Sequence, residues 1–184
     1  MKRLLFIPAF VAAMVAGSAS MTYAQKTVMV GGAAMYPTKN IVENAVNSKD
    51  HTTLVAAVKA AGLVATLETP GPFTVFAPTN EAFNKLPAGT VDNLLKPENK
   101  GTLTSILTYH VVAGKLDSKA LMEKVKMGHG KAKLKTVQGE ELTVMQKGNH
   151  LEVEDSKGNI AMVSIKDVYQ SNGVIHVIDK VLMP

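Results

Sequence analysis

The sequence predicts an α+β domain with its helices first and its strands last. Three observations carry that prediction. Between residues 41 and 125 apolar residues recur at helical spacing, as in Leu54, Val55, Val58 and Ala61 or Leu103, Ile106 and Leu107. From residue 132 onward apolar and polar residues alternate, and Gly- and Asn-rich turns interrupt them every few positions. The strands of that last third are not separated by helices, which argues for a β-meander rather than for βαβ units on a parallel sheet.

Each element follows in turn. Lys2 and Arg3 precede an apolar run from residue 4 to 15, and small residues then lead to Thr22-Tyr23-Ala24. This is the pattern of a secretory signal peptide over residues 1–24. The run is too short to span a bilayer comfortably, so no transmembrane anchor is expected. Residues 25–39 read as a lead-in, because Gly31-Gly32, Pro37 and mixed polarity argue against a long element. Residues 40–184 then form one domain. Ile41, Val42, Ala45 and Val46 make a first helix with Thr38 as its cap. Asp50 caps a second, which Gly62 stops. Phe73, Val75 and Ala77 alternate with Thr74 and Phe76 in a strand that Pro78 ends. Thr79 or Asn80 caps the next helix, with Ala82, Phe83 and Leu86 on its apolar side. Residues 91–95 make a short helical piece, and Pro97 suits the first turn of the helix bearing Leu103, Ile106 and Leu107. Residues 109–113 have strand character. Ser118 caps a helix carrying Leu121, Met122 and Val125, and strands follow over 132–137, 141–147, 150–154, 160–168 and 174–181.

Composition narrows the chemistry. With no cysteine, disulfides, thiol catalysis and Cys-ligated metals are excluded. A net charge of +5 is too small to imply nucleic acid without clustering. The one lysine-rich stretch, residues 115–135, has no arginine and no interleaved aromatic residues, so no nucleic-acid partner is expected. Lys131, Lys133 and Lys135 alternate within it and project from one strand face. That face suits anionic glycans or lipid headgroups, and it equally suits protection of an edge strand.

No nucleophile elbow, Walker loop, Gly-x-Gly-x-x-Gly or His-Glu-x-x-His is present, so an enzyme is not expected. Glu140, Glu141, Glu152 and Glu154 read as solvated strand surface. His51, His129 and His150 are expected to be exposed. His110 and His176 sit among apolar residues and are expected to be hydrogen-bonded core groups. Met122, Met145, Met162 and Met183 fall in core-like positions and read as packing residues. Neither a cofactor nor a bound metal is expected.

Residues 73–83, the pair Tyr109-His110 and the closing run Asn172-Gly173-Val174-Ile175-His176-Val177-Ile178-Asp179 lie in order at spacings that resemble the signature segments of the fasciclin (FAS1) domain family. The likeness extends from about residue 40 to residue 184 and is nearest in style to small exported bacterial members. It implies a β-wedge of about seven strands with several helices packed on it. It also implies a non-catalytic adhesion or recognition module, secreted to the periplasm, the cell surface or the extracellular matrix. Its partner would be an extracellular protein or polysaccharide. In animal members integrins recognise the Tyr-His element, which corresponds to Tyr109 and His110 with Val111, Val112 and Leu116 as neighbours. A second recognition motif, Asp followed by Ile, is similar to Asp167-Val168, with Val in place of Ile and Lys166 where Pro is usual. The alternative function is a periplasmic carrier of a small ligand or of copper or zinc, using His110, His176 or the methionines.

Overall fold

A computed structural model describes residues 27–184; the signal-peptide reading of residues 1–24 lies outside the described residues. The first element is a hairpin of β1 (Val28–Val30) and β2 (Ala33–Met35). Gly31 and Gly32 form its two-residue loop, both at positive φ (57° and 75°), which such a tight turn requires. The hairpin buries Val30 and Met35 in the core, so this part of the expected lead-in folds with the domain.

Helix α1 (Ile41–Ala45) is capped by Asn40, not by Thr38. Asn40 Oδ1 accepts from the Glu43 amide at 2.8 Å while Glu43 Oε2 accepts from the Asn40 amide at 2.7 Å, a reciprocal capping box. A 3₁₀ turn over Lys49–His51 leads into α2 (Thr52–Ala61), which ends at Gly62 with φ 74°. Asp50 does not cap α2. Asn80, a distant residue, does so instead: its Oδ1 accepts from the Thr53 amide at 3.0 Å and its Nδ2 donates to the Lys49 carbonyl at 2.8 Å.

The short α3 (Val64–Leu67) precedes β3 (Phe73–Pro78). Thr79 caps α4 (Asn80–Asn84) by accepting from the Ala82 amide at 3.2 Å. After α5 (Thr90–Leu94), α6 (Lys100–Tyr109) runs to Tyr109, and only three residues form β4 (Val111–Ala113). The expected strand at Tyr109-His110 is therefore a helix end, because the apolar stripe of Leu103, Ile106 and Leu107 extends one further turn. Helix α7 (Ser118–Met127) is capped by Asp117, whose Oδ1 accepts from the Ala120 amide at 2.9 Å; Ser118 is its first helical residue. The meander follows as expected: β5 (Lys131–Lys135), β6 (Glu141–Lys147), β7 (His150–Glu154), β8 (Ile160–Gln170) and β9 (Gly173–Ile178).

Seven strands form one sheet in the order β4-β3-β9-β8-β7-β6-β5. A bridge between Val112 and Thr136, with the Val137 amide donating to the Val111 carbonyl at 2.7 Å, brings its two ends together. Strands β3 and β9 pair in parallel from Phe73↔Gly173 to Pro78↔Ile178, so the two signature segments lie side by side at the centre. A Cβ at Gly173 would collide with the Phe73 backbone, which explains glycine there.

This central pair is covered on both faces. Val75, Ala77, Ile175 and Val177 face α1, α2 and α6. Phe76 and Ile178 face a second core with Tyr109, Leu121, Leu142, Val144 and Val153, enclosed by the curled sheet and α7. Register shifts between Val163 and Val168 bend the eleven-residue β8 so that it serves both β7 and β9.

Candidate functional site

Tyr109 and His110 are buried, His110 to 2% exposure. The Leu182 amide can only donate, so His110 Nε2 is the acceptor of that 3.0 Å bond, and Nδ1–H donates to the Ile106 carbonyl at 2.8 Å. The ring thus satisfies a carbonyl at the end of α6 and pins the C-terminus. Burial holds its pKa down at about 4. Tyr109 Oη donates to the Glu141 carbonyl at 3.0 Å and accepts from the Ser156 amide at 2.9 Å; burial pushes its pKa up. Asp155, also buried, accepts from the Met183 amide at 3.0 Å. The Tyr-His pair and its acidic neighbour lock the chain end, and neither aromatic ring presents a surface to a partner.

Asp167 and Val168 make a second anchor. Val168 is core. Asp167 sits in the bulge of β8 at φ 60°. Its carboxylate accepts from the Ser118 amide at 2.6 Å and from the Ser118 hydroxyl, stapling the start of α7 to β8. His176 Nε2–H donates to the Leu116 carbonyl at 2.8 Å, and Nδ1 accepts from the Asp167 amide at 3.4 Å. Phe76 stacks on the ring with centroids 5.7 Å apart. Ser118, Asp167 and His176 are near one another, but the carboxylate holds the serine and the imidazole bonds only backbone. That is not the arrangement that activates a nucleophile. Beside it Tyr169 Oη donates to Asp117 Oδ2 at 3.2 Å; burial first, then Asp117 and Asp167, pushes its pKa up to about 12.

Both nitrogens of His110 and His176 are engaged, so neither can ligate a metal without losing a core hydrogen bond. Among the described residues no three His, Cys, Asp or Glu side chains come together. No described helix is long and apolar enough to cross a membrane.

The outer face of β5–β8 is different in kind. Register places Lys131, Met145, Glu152 and Met162 in one cross-strand row and Lys133, Thr143, Glu154 and Ile160 in the next. Lys131 Nζ lies 3.4 Å from Glu154 and Lys133 Nζ 3.2 Å from Glu141. The lysine face is thus interleaved with carboxylates rather than uniformly cationic. Met162, expected in the core, is 40% exposed, because it stands on the solvent side of the alternating β8.

His51 is the residue that sequence reading misplaced. It is 3% exposed, not solvated. Its Nδ1 is 2.9 Å from the Ser48 hydroxyl, and its Nε2 has no hydrogen-bond partner among the described residues. Burial lowers its pKa, opposed by the Ala77 carbonyl and by Asp50. A usable signal existed: position 51 falls three, four and seven residues before Leu54, Val55 and Val58, on the apolar stripe of α2. The ring lines an apolar cavity of about 80 Å³ between the first three helices and the sheet, with Leu54, Val58, Val75, Leu107 and Ile175 among its walls.

Comparison with known proteins adds three likenesses and a family match. A Fasciclin domain model matches residues 49–184. Protein sll1483 of Synechocystis sp. is 48% identical over 166 residues, spanning 90% of this chain and 85% of that protein. Immunogenic protein MPB70 of Mycobacterium bovis is 43% identical over 143 residues, spanning 75% of this chain and 65% of that protein. A solved FAS1 domain pair from the insect cell adhesion molecule Fasciclin I is 26% identical with a TM-score of 0.48, over 69% of this chain and 40% of that one.

Proposed function

The chain belongs to the fasciclin domain family, and from that premise we propose that it is an exported, non-catalytic module that recognises an extracellular protein or polysaccharide through the outer face of β5–β8. The observation that carries this reading is that face itself. Four hydrogen-bonded strands hold Lys131, Lys133, Glu152 and Glu154 beside the exposed Met162 and Ile160. A rigid surface with both charge signs and apolar side chains at fixed spacing suits recognition by many weak contacts. Exposed lysine–carboxylate pairs add little stability, about 0–1 kcal/mol each, so their worth in this reading lies in the surface they present.

Tyr109, His110, Asp167 and Val168 serve this function from inside, by fixing the C-terminus, α7 and the bend of β8. Anionic lipid headgroups are a weaker fit than a protein or glycan, because Glu141 and Glu154 stand against the lysines.

The test is binding of the purified protein to intact cells of its source and to their extracellular polymer. A doubly altered face, Lys133→Glu with Met162→Glu, should weaken binding at least about tenfold while leaving the thermal midpoint nearly unchanged. Undiminished binding by that variant, or no binding by the unaltered protein, rejects the reading.

A further inference from the structure

We propose that the cavity beneath α1–α3 is a binding site for a small, uncharged, mainly apolar molecule carrying one hydroxyl or carbonyl group, with His51 Nε2 as its polar anchor. The site lies where helices cover the outer face of β3 and β9, away from the uncovered strands β5–β8 of the recognition face, and does not depend on it.

Two independent observations meet here. The first is the space. At about 80 Å³ it far exceeds the roughly 10–15 Å³ that one water needs. Its walls are mainly Val, Leu, Ile, Ala, Met and Phe side chains. The polar groups of Thr108 and His110 that also line it are already bonded within the protein, so water finds too few partners to be held there. Such a cavity accepts an apolar guest; since one of about 150 Å³ holds a benzene, this volume seats roughly three to four carbons, and a longer chain projects through the mouth. The exposed Lys59, Thr66 and Val137 rim its mouth, so a guest has a way in.

The second is the orphaned nitrogen. A buried polar atom without a partner is costly, and native proteins rarely leave one without a reason. Every other buried imidazole nitrogen in the described fold is bonded: His110 to Ile106 and Leu182, His176 to Leu116 and Asp167. Only His51 Nε2 is left without a hydrogen bond of ordinary geometry, with the Ala77 carbonyl close enough to the ring to act on it but not aligned to bond, and the ring lines the cavity. The Ser48 hydroxyl at Nδ1 is compatible with either tautomer, so Nε2 either donates or accepts. A guest hydroxyl satisfies both cases, and a carbonyl satisfies the first. A charged guest fits poorly, because the cavity offers it no buried counter-ion.

The experiment titrates the purified protein with 1-butanol through 1-octanol, using n-hexane as the matched apolar control. Calorimetry measures affinity, and nitrogen-15 spectra of the imidazole rings report on each histidine. The expected result is saturable one-to-one binding that tightens about three- to fourfold per added methylene until the space is full. The His51 ring resonances should shift most, while those of His176, which does not line the cavity, stay in place. Val55→Phe, which fills the cavity from a half-exposed wall, should weaken 1-hexanol at least about tenfold. His51→Phe should remove the preference for 1-hexanol over n-hexane. Absence of a saturable His51 shift in the unaltered protein overturns the proposal, whatever the variants do. So does equal movement of the His51 and His176 rings, or 1-hexanol affinity unchanged in a folded Val55→Phe protein.

Discussion

The two faces of the β3–β9 pair each receive buried imidazole, and they treat it differently. On the side enclosed by the curled sheet, His176 stacks on Phe76 and has both nitrogens bonded. At that core's edge His110 does the same between Ile106 and Leu182. On the helical side His51 has one nitrogen bonded and one facing an unfilled apolar space. The difference teaches where the molecule is committed to stability and where it is not. A satisfied buried network fixes one structure, whereas an unfilled cavity with an unpaired donor or acceptor leaves stability unrealised until something occupies it.

The sharpest way to break the comparison is to open the tight side. Phe76→Ala removes a fully buried ring between β9 and α7 and should cost about 3–5 kcal/mol in urea unfolding. A smaller cost would mean that this core also tolerates empty space. Gly173→Ala should come next, at about 2–4 kcal/mol, because its Cβ meets Phe73 backbone that cannot move without breaking the parallel pair.

The pH dependence of stability separates the faces further. The His110 pKa falls from its ordinary 6.5 to about 4 in the folded protein. Between those values the unfolded chain binds a proton there and the folded chain does not. Stability is therefore full above pH 6.5 and falls as pH drops through the window, by on the order of 3 kcal/mol from this residue. His51 and His176, also lowered, act in the same direction. His110→Leu should flatten that slope; an unchanged slope would show that the burial of this ring is not its source. At the small end, Lys133→Glu on the outer face should change stability by less than about 0.5 kcal/mol.

How much of this was legible in the sequence depended on the range of the interaction responsible. Strands β6 and β7 were read to the residue, because period-two alternation and Gly–Asn turns are local signals. Caps were harder. Thr38, Asp50 and Ser118 are all good cap residues, but adjacent or distant candidates won: Asn40 because Glu43 completes a box, Asn80 because the fold delivers it to α2, and Asp117 because Ser118 is held by Asp167. The β1–β2 hairpin has strands too short for periodicity to register, though Gly31-Gly32 marked its turn. Tyr109-His110 belongs to a short apolar run whose period does not distinguish strand from helix end. The parallel pairing of β3 with β9 joins residues about a hundred positions apart, beyond any local pattern. His51 was misplaced because its polar neighbours, Asp50 and Thr52, outweighed its position on the α2 stripe.

The most direct test of the contrast is urea unfolding of His110→Leu and His51→Leu, side by side at pH 7.5. Losing His110 strands the Ile106 carbonyl and the Leu182 amide, and should cost about 2–5 kcal/mol. Losing His51 leaves the buried Ser48 hydroxyl without its partner but strands no backbone group, removes the unbonded Nε2 and enlarges an apolar wall, and should cost less, about 0–2 kcal/mol, with the low end reached if the leucine fills the space. Equal destabilisation by the two substitutions would contradict the account.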